Sequence, residues 1–366
     1  MRASELIHRL VIENLKHRPV RTLLSALAIG VQVTMILTLV GVSRGMLHDM
    51  AQRARGTGAD VLVRPPGSSI IGFSGVMPEK IEPVVLAVPH VAQVTGTLVQ
   101  PVGNISSITG INLDEFNKMS GGFRYLEGGP FQGPQDLIVD EVFARSEHVH
   151  AGDRVDQGVS WRVAGIVESG KLSRMFAQVR ALQDLFSATG KVSVIYVKVD
   201  TPANIPVVID SLKKKLEDYK IYSVEEFTSL ISVDNIPLLR RFIAVVIGLA
   251  VIVGFLVVFL SMYTAVLERT REIGILKALG ASPGYILGIL IRETILLAAA
   301  GTAAGILMSY GTRALMQVMA PTMTQVIVPD WWPWAALIAL VGSLIGALYP
   351  GLKAARQDAI EALAYD

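Results

Sequence analysis

The chain has 366 residues, of which 51% are hydrophobic and only 17% charged, with a formal net charge of +2 and no cysteine. Ordinary soluble domains carry about 25% charged residues, so this composition excludes a simple soluble enzyme. The missing cysteines exclude a disulfide framework, a thiolate metal site and a cysteine nucleophile, and the balanced charge argues against nucleic acid as a partner.

The first 21 residues predict an amphipathic helix that ends at Pro19. Its apolar side repeats at helical spacing. That side comprises Leu6, Ile7, Leu10, Val11 and Leu15. A helix on the inner leaflet of a membrane and a helix packed against a protein partner both fit this pattern.

Four stretches contain no Asp, Glu, Lys or Arg: residues 22–43, 242–267, 294–312 and 331–352. At a rise of about 1.5 Å per residue, each helix would cross most or all of a hydrocarbon core of about 30 Å. The sequence therefore predicts four transmembrane helices, at 22–43, 242–267, 285–312 and 331–352. Arg292 and Glu293 fall early in the third, and we expect them at the cytoplasmic interface with their stems extended towards water.

The first stretch is too long for the apolar region of a signal peptide, which has about 7–15 residues, so it predicts an uncleaved anchor. Eleven Lys and Arg residues flank the spans at 1–21, 268–292 and 353–366, against one in the short connection 313–330. The positive-inside rule places both termini and the 268–284 loop in the cytoplasm. Residues 44–241 and 313–330 then lie outside. The tryptophans at 331, 332 and 334 agree, because such rings favour the membrane interface.

Three pairs of small residues four positions apart are candidates for close helix packing. These are Ala26 and Gly30, Gly301 and Gly305, and Gly342 and Gly346. No uncharged stretch holds the ionisable residue that an ion-coupled transporter would need.

The long segment 44–241 has a mixed α/β texture. Its β-rich runs are bounded by Pro, Gly and Asn. The predicted strands are 59–63, 93–99, 107–111, 137–139, 161–167 and 192–199. Helices are predicted at 78–87 and 205–219, and loops at 65–75 and 121–134. We expect two lobes, with residues of about 100–190 inserted into a lobe built from both flanks.

Catalytic motifs are missing from this outer segment. It has no H-E-x-x-H, G-x-S-x-G or P-loop pattern. The run Glu147-His148-Val149-His150 could offer two ligands on one face of a strand, whereas a metal site needs three or four. We therefore expect no catalytic residue, no metal and no ATP bound by this chain. A membrane-anchored hydrolase is the alternative, and it requires a perturbed acid or a nucleophile in a cleft.

The segment 268–283 reads E-R-T-R-E-I-G-I-L-K-A-L-G-A-S-P. The sequence predicts a coupling helix in the segment 268–284, with its C-terminal stop at Gly280. Ser282 then caps a new helix that has Pro283 at its first position. Mixed charge, an apolar edge and a firm stop at each end are typical of a docking helix. Its candidate coupling residues are Glu268, Arg269, Arg271, Glu272, Gly274, Lys277 and Gly280.

This segment resembles the E-R-x-x-E-I-G-x-L-K-A-L-G-A loop of the FtsX-like and MacB-like permeases of ABC transporters. Residues 17–30 resemble the family's first-span entry, and 349–356 with 360–363 resemble its C-terminal signature. One span, a large outer domain and then three spans is also the family's layout. The resemblance implies an α-helical membrane protein with four transmembrane helices and a mixed α/β extracytoplasmic domain inserted between helices 1 and 2, located in the bacterial inner membrane.

The resemblance further implies a non-catalytic subunit that pairs with a second permease copy and seats the coupling residues on a dimer of separate ATPase subunits, which bind ATP and Mg²⁺. A periplasmic adaptor is a further candidate partner, and membrane lipids surround the spans. The implied activity is export or extraction of a hydrophobic or amphipathic substrate by mechanotransmission. The alternative is an FtsX-like regulator that transports nothing and relays ATPase motion to cell-wall hydrolases outside.

Overall fold

The computed structural model describes residues 19–69, 75–102, 106–233 and 235–356. Most of the predicted helix at 1–21 and all but the first four residues of the tail at 353–366 lie outside the described residues. The chain divides into two compact units. The helical unit comprises Met1–Ser43, Leu238–Met316 and Gln325–Asp366, and the α/β unit comprises Arg44–Pro237 and Gln317–Thr324.

The described residues form long helices in the helical unit and short ones in the α/β unit. The α-helices are α1 (Pro19–Arg55), α2 (Ile81–Leu86), α3 (Leu113–Ser120), α4 (Glu141–Glu147), α5 (Val179–Leu185), α6 (Ile205–Lys215), α7 (Val224–Leu230), α8 (Pro237–Glu268), α9 (Thr270–Ala278), α10 (Pro283–Met319) and α11 (Trp332–Arg356). Short 3₁₀ turns occur at Pro202–Asn204 and Pro329–Trp331.

Within the described ranges, four helical segments are long and apolar enough to cross a membrane. They are Thr22–Arg55, Pro237–Glu268, Pro283–Met319 and Pro329–Arg356. Each extends beyond the span predicted from its uncharged stretch. The difference has a simple cause: lack of charge marks the part of a helix that suits hydrocarbon, whereas the backbone continues as a helix into polar sequence.

The α/β unit is built on a mixed sheet. Its strands are β1 (Val61–Arg64), β2 (Met77–Pro78), β3 (Val91–Val102), β4 (Ser106–Ile111), β5 (Tyr125–Gly128), β6 (Asp136–Asp140), β7 (Arg154–Asp156), β8 (Ser160–Val167), β9 (Met175–Gln178), β10 (Lys191–Val192), β11 (Val194–Val199) and β12 (Lys220–Ser223). The order in the main sheet is β12-β1-β11-β3-β4-β9-β6-β8-β5, with β7 beside β8, and β2 pairs with β10 separately.

The long strand β3 joins the two halves of this sheet. Residues 91–97 pair with β11, and residues 98–102 pair with β4. Each half has its own apolar core. One is centred on Ile195, Val197 and Leu212, the other on Trp161 and Leu182. Strand β3 therefore runs past both cores of the single α/β unit.

Each of the six predicted strands overlaps an observed one. Strand β5 is different, because it lies inside the segment 121–134 that was predicted to be a loop. Three of its four residues are exposed, so its sequence lacks the alternation that marks a half-buried strand. Pairing with β8 decides its conformation.

Candidate functional site

The predicted docking segment forms helix α9, which is bounded by a break at each end. Arg269 interrupts the helical backbone between α8 and α9 with φ −113°. At the other end Gly280 has φ +92°, a left-handed conformation that glycine adopts at low cost. The Ala281 N–H donates to the Leu276 carbonyl over 3.0 Å, and the Tyr285 N–H donates to the Ser282 hydroxyl, which caps α10. These breaks hold α9 as a separate short helix.

One side of α9 packs into the helical unit and the other is exposed. Thr270, Ile273 and Gly274 are buried, and Ile273 belongs to the same apolar cluster as residues of α1, α8, α10 and α11. The opposite side offers charged and apolar groups together. Glu268, Arg271, Glu272 and Gly280 are exposed, as are Ile275 (47%) and Leu279 (81%). A large apolar side chain exposed among charges is typical of a contact surface for another protein.

The exposed side differs in two respects from the sequence prediction. The sequence predicted a single apolar edge, yet Leu279 is exposed while Ile273 is buried, so the apolar residues lie on two sides of the helix. Gly274 is buried as well, which places it on the packing side of α9. The sequence contained a signal for this division. Ile275 and Leu279 are four residues apart, so they share one helical face.

Arg269 was predicted as a surface charge of the docking helix, and the structure instead places it inside the helical unit. Its guanidinium Nη1 lies 3.3 Å from the Glu293 carboxylate on α10, with side-chain exposures of 10% and 1%. Glu293 is therefore buried against Arg269, and its side chain does not extend towards water as expected. The physical reason is that a buried carboxylate is tolerable when a cation shares its site, and the turn before α9 supplies that cation.

The small residues of α1 and α10 are in direct contact. A Cβ added at Gly305 would lie 2.6 Å from the Gly30 carbonyl oxygen, and one at Gly301 would lie 2.8 Å from the Ala26 carbonyl oxygen. Gly346 on α11 is similarly close to α8, since its Cβ would lie 2.9 Å from the Phe255 carbonyl oxygen. Gly342 is looser: its nearest neighbour is the Val251 Cγ1 atom at 3.8 Å.

The polar side chains of the long helices bind neighbouring helices. The Thr34 hydroxyl donates to the Gly305 carbonyl over 3.0 Å, the Thr38 and Thr312 hydroxyls lie 3.0 Å apart, and the hydroxyls of Ser25 and Ser261 share a hydrogen bond. These groups therefore serve helix packing, as polar residues in membrane bundles commonly do.

The α/β unit holds a separate acidic cavity of about 390 Å³ between α2, α3, α5 and the 91–97 part of β3. The Glu82 carboxylate lies directly over Gly96, because a Cβ there would overlap its Oε1 atom. Burial, together with the nearby carboxylates of Glu79 and Glu115, raises the pKa of Glu82 to about 7. Both Nη atoms of Arg180 donate hydrogen bonds to the Glu79 carboxylate, at 2.8 and 3.0 Å.

This cavity holds one of the groups that the hydrolase alternative looks for, an acid with a perturbed pKa. The described residues lining it include no Ser, Thr, His or Lys that could act as a nucleophile or base beside Glu82. Among the described residues there is also no group of three His, Cys, Asp or Glu side chains placed to hold a metal ion.

Comparison with known proteins places this arrangement in a family. A model of the MacB-like periplasmic core domain matches residues 22–215, more than half of the chain, and a model of the FtsX-like permease C-terminal region matches residues 244–359. The chain belongs to the family of FtsX-like and MacB-like permeases. The predicted architecture, four apolar helices with an α/β domain between the first and second, is thereby confirmed.

Several relatives of this permease are named components of ABC transporters. The macrolide export ATP-binding/permease protein MacB of Escherichia coli is 26% identical over 97% of this chain and 60% of its own length. The uncharacterised ABC transporter permease YvrN of Bacillus subtilis is 24% identical over 98% of this chain and 99% of its own. The permease thus spans about 60% of the length of MacB.

A solved structure, the periplasmic region of MacB from Actinobacillus actinomycetemcomitans, aligns with the permease at a TM-score of 0.36 and 16% identity, covering 48% of this chain and 94% of that one.

Proposed function

We propose that this chain is the permease subunit of an ABC transporter, driven by separate ATPase subunits that bind ATP and Mg²⁺. The observation that carries this proposal is the exposed side of α9. It combines Arg271 and Glu272 with the apolar Ile275 and Leu279 on a short helix anchored between α8 and α10. Such a surface suits a stable protein contact, with apolar groups supplying affinity and charges supplying orientation.

The proposed activity is export or extraction of a hydrophobic or amphipathic substrate by mechanotransmission. In this scheme nucleotide-driven movement of the ATPases displaces α9, and the long helices pass the displacement to the α/β unit. The polar contacts between helices support this scheme. The Thr34 and Thr38 hydroxyls are hydrogen-bonded to α10, whereas a hydrophilic channel would need such groups to line its interior. The Escherichia coli relative is named a macrolide export protein, which supports export over a purely regulatory role.

A binding experiment tests the role of α9. The chain is reconstituted with its cognate ATPase, and the variant Glu272→Lys/Leu279→Asp is compared with wild type. We expect at least a tenfold loss of ATPase affinity, because the substitution inserts charge into the apolar contact and reverses the neighbouring charge. Equal affinity in the two proteins would remove α9 from the proposed role.

The chain offers a matched control for this variant. Glu226→Lys/Leu126→Asp makes the same two substitutions at exposed positions of the α/β unit. We expect it to bind the ATPase as wild type does. A similar loss in both variants would mean that added charge perturbs the protein generally.

The proposed orientation, with both termini and α9 in the cytoplasm and the α/β unit outside, has its own test. Because the native chain has no cysteine, Leu279→Cys and Lys214→Cys each introduce a single exposed thiol. In spheroplasts a membrane-impermeant maleimide should label position 214 and leave position 279 unmodified until the membrane is opened. The reverse pattern would overturn the orientation.

The competing function, relay of ATPase motion to cell-wall hydrolases, requires the same α9 contact and differs in its outer partner. A neighbouring gene for an adaptor or an outer-membrane channel supports export, whereas one for a peptidoglycan hydrolase supports the relay.

A further inference from the structure

The last turns of α1 belong to the α/β unit, and Arg174 is one of the side chains that attach them there. Arg174, just before β9, places its Nη2 atom 2.9 Å from the Asp49 carboxylate of α1, and Nη1 3.4 Å from the Asp140 carboxylate. Arg53 approaches the same Asp49 carboxylate at 3.2 Å. Asp140 also accepts from the Phe143 N–H over 2.7 Å and so caps α4. The guanidinium therefore ties α1 to the start of α4.

Backbone contacts reinforce this attachment. The Leu172 N–H donates to the Arg53 carbonyl over 2.9 Å. Two glycines follow α1 in close contact with the unit: a Cβ at Gly56 would overlap the Gly170 carbonyl oxygen, and one at Gly58 would overlap that of Met119. No side chain fits at either glycine, so the end of α1 packs directly against backbone.

The same arginine holds the connection between α10 and α11. The end of α10 and the start of that connection, Gln317–Thr324, belong to the α/β unit, and the Arg174 Nη2 atom donates to the Thr322 carbonyl over 3.3 Å. One guanidinium therefore has partners in three separate parts of the chain: Asp49, Asp140 and Thr322.

The approach to α8 is built differently. The backbone hydrogen bonds described for residues 231–236 are local: Ile231 to Thr228, Ser232 to Leu230, Asn235 to Ser232 and Ile236 to Val233. Local bonds of this kind shape a turn without fastening it to a neighbouring element. Within the described residues, the α/β unit thus holds the end of α1 through charged groups, backbone hydrogen bonds and close packing.

We propose that Arg174 is the joint through which movement of α1 and of the α10–α11 connection reaches the α/β unit. The inference rests on the proposed mechanotransmission and names its point of attachment. The guanidinium is only 14% exposed, and Asp140 is 2% exposed, so water replaces these partners poorly when they separate. An ion pair in such a setting resists displacement far better than an exposed one.

Spin-label distances in the full chain test the joint directly. Labels at Gln52→Cys on α1 and Glu147→Cys on α4 occupy exposed positions of the α/β unit in a protein without native cysteine. We expect a narrow distance distribution in the otherwise native protein and one at least twice as wide in Arg174→Gln. Asp49→Asn should also widen the distance distribution. This variant leaves the Arg174 contact to Asp140 in place, so it provides the test if Arg174→Gln folds poorly. A distribution as narrow as wild type in a folded variant would overturn the proposal.

Arg180→Gln is the matched control, since Arg180 is paired with Glu79 away from α1. It should leave the distribution unchanged, and equal widening would mean that loss of any ion pair loosens the unit.

A second measurement separates the joint from the proposed function. In complex with the ATPase, the spectrum of the label at position 147 should change with nucleotide in the native background. The change should disappear in Arg174→Gln, while ATP hydrolysis stays within twofold, because α9 is unaltered. No nucleotide response in the native background would overturn the proposed function, whereas the distance measurement still decides whether Arg174 holds α1. A response retained in Arg174→Gln would overturn the joint alone.

Discussion

Arg269 and Glu293 form an ion pair that links the docking helix to a long helix of the bundle. The two side chains lie 3.3 Å apart and are almost completely shielded from solvent. Arg269 occupies the break between α8 and α9, and Glu293 lies on α10, so the pair connects three helices at one point. A displacement of α9 would therefore act on α10 directly.

Removing one partner of this ion pair should cost more stability than removing both. Removing one partner of a buried ion pair leaves an uncompensated charge, so Glu293→Gln and Arg269→Gln should each lower the free energy of unfolding by about 3 kcal/mol. The double variant Arg269→Met/Glu293→Leu removes both charges and keeps side-chain volume, and it should unfold close to wild type. Thermal unfolding in detergent measures all three. Single variants as stable as wild type would show that the pair contributes little.

The glycine contacts between α1 and α10 predict a position-dependent cost of one methyl group. Gly305→Ala should destabilise the helical unit by about 1–3 kcal/mol, because the new Cβ would overlap the Gly30 carbonyl and Val33. Gly342→Ala is the control, since its Cβ would make only an ordinary contact of 3.8 Å to Val251. Thermal unfolding of the two variants should separate them clearly. Equal effects would contradict the close approach of α1 and α10.

The raised pKa of Glu82 predicts a pH dependence. The folded protein keeps the Glu82 proton up to a pH of about 7, whereas the ordinary value is 4.5, so the folded state binds more protons between these values. The contribution of Glu82 to stability is therefore greatest below pH 4.5 and declines as the pH rises through 7. Above pH 7 the ionised carboxylate faces Glu79, Glu115 and Asp114, with Arg180 as the opposing charge.

Glu82→Gln should accordingly stabilise the α/β unit at pH 8 and leave it nearly unchanged at pH 4. We expect about 1 kcal/mol, because solvent reaches part of this carboxylate and screens it. Thermal unfolding at the two pH values measures the effect, and Glu226→Gln, at an exposed position, is the control. If the Glu82→Gln variant were less stable than wild type at pH 8, the prediction would be contradicted.

Much of the docking site was predictable from local chemistry. Gly280, Ser282 and Pro283 end one helix and begin another through interactions within a few residues, so their conformations followed from the sequence. The four long helices were predictable for a similar reason: freedom from charge over about 20 residues is a property of a segment by itself. Strands with alternating apolar residues were found as well, whereas the exposed strand β5 was missed.

The partners of individual side chains were decided only by the tertiary structure. Arg269 reads in the sequence as one more charge of a charged loop, and Glu293 as a residue at the edge of a span, yet the two are 24 positions apart and share one buried site. The attachment of Arg174 to Asp49, Asp140 and Thr322 likewise joins segments that are distant along the chain. Helix ends and apolar spans depend on neighbours in sequence, and so the sequence alone determined them. Buried ion pairs and glycine contacts depend on which helices and strands lie side by side, and packing decides that.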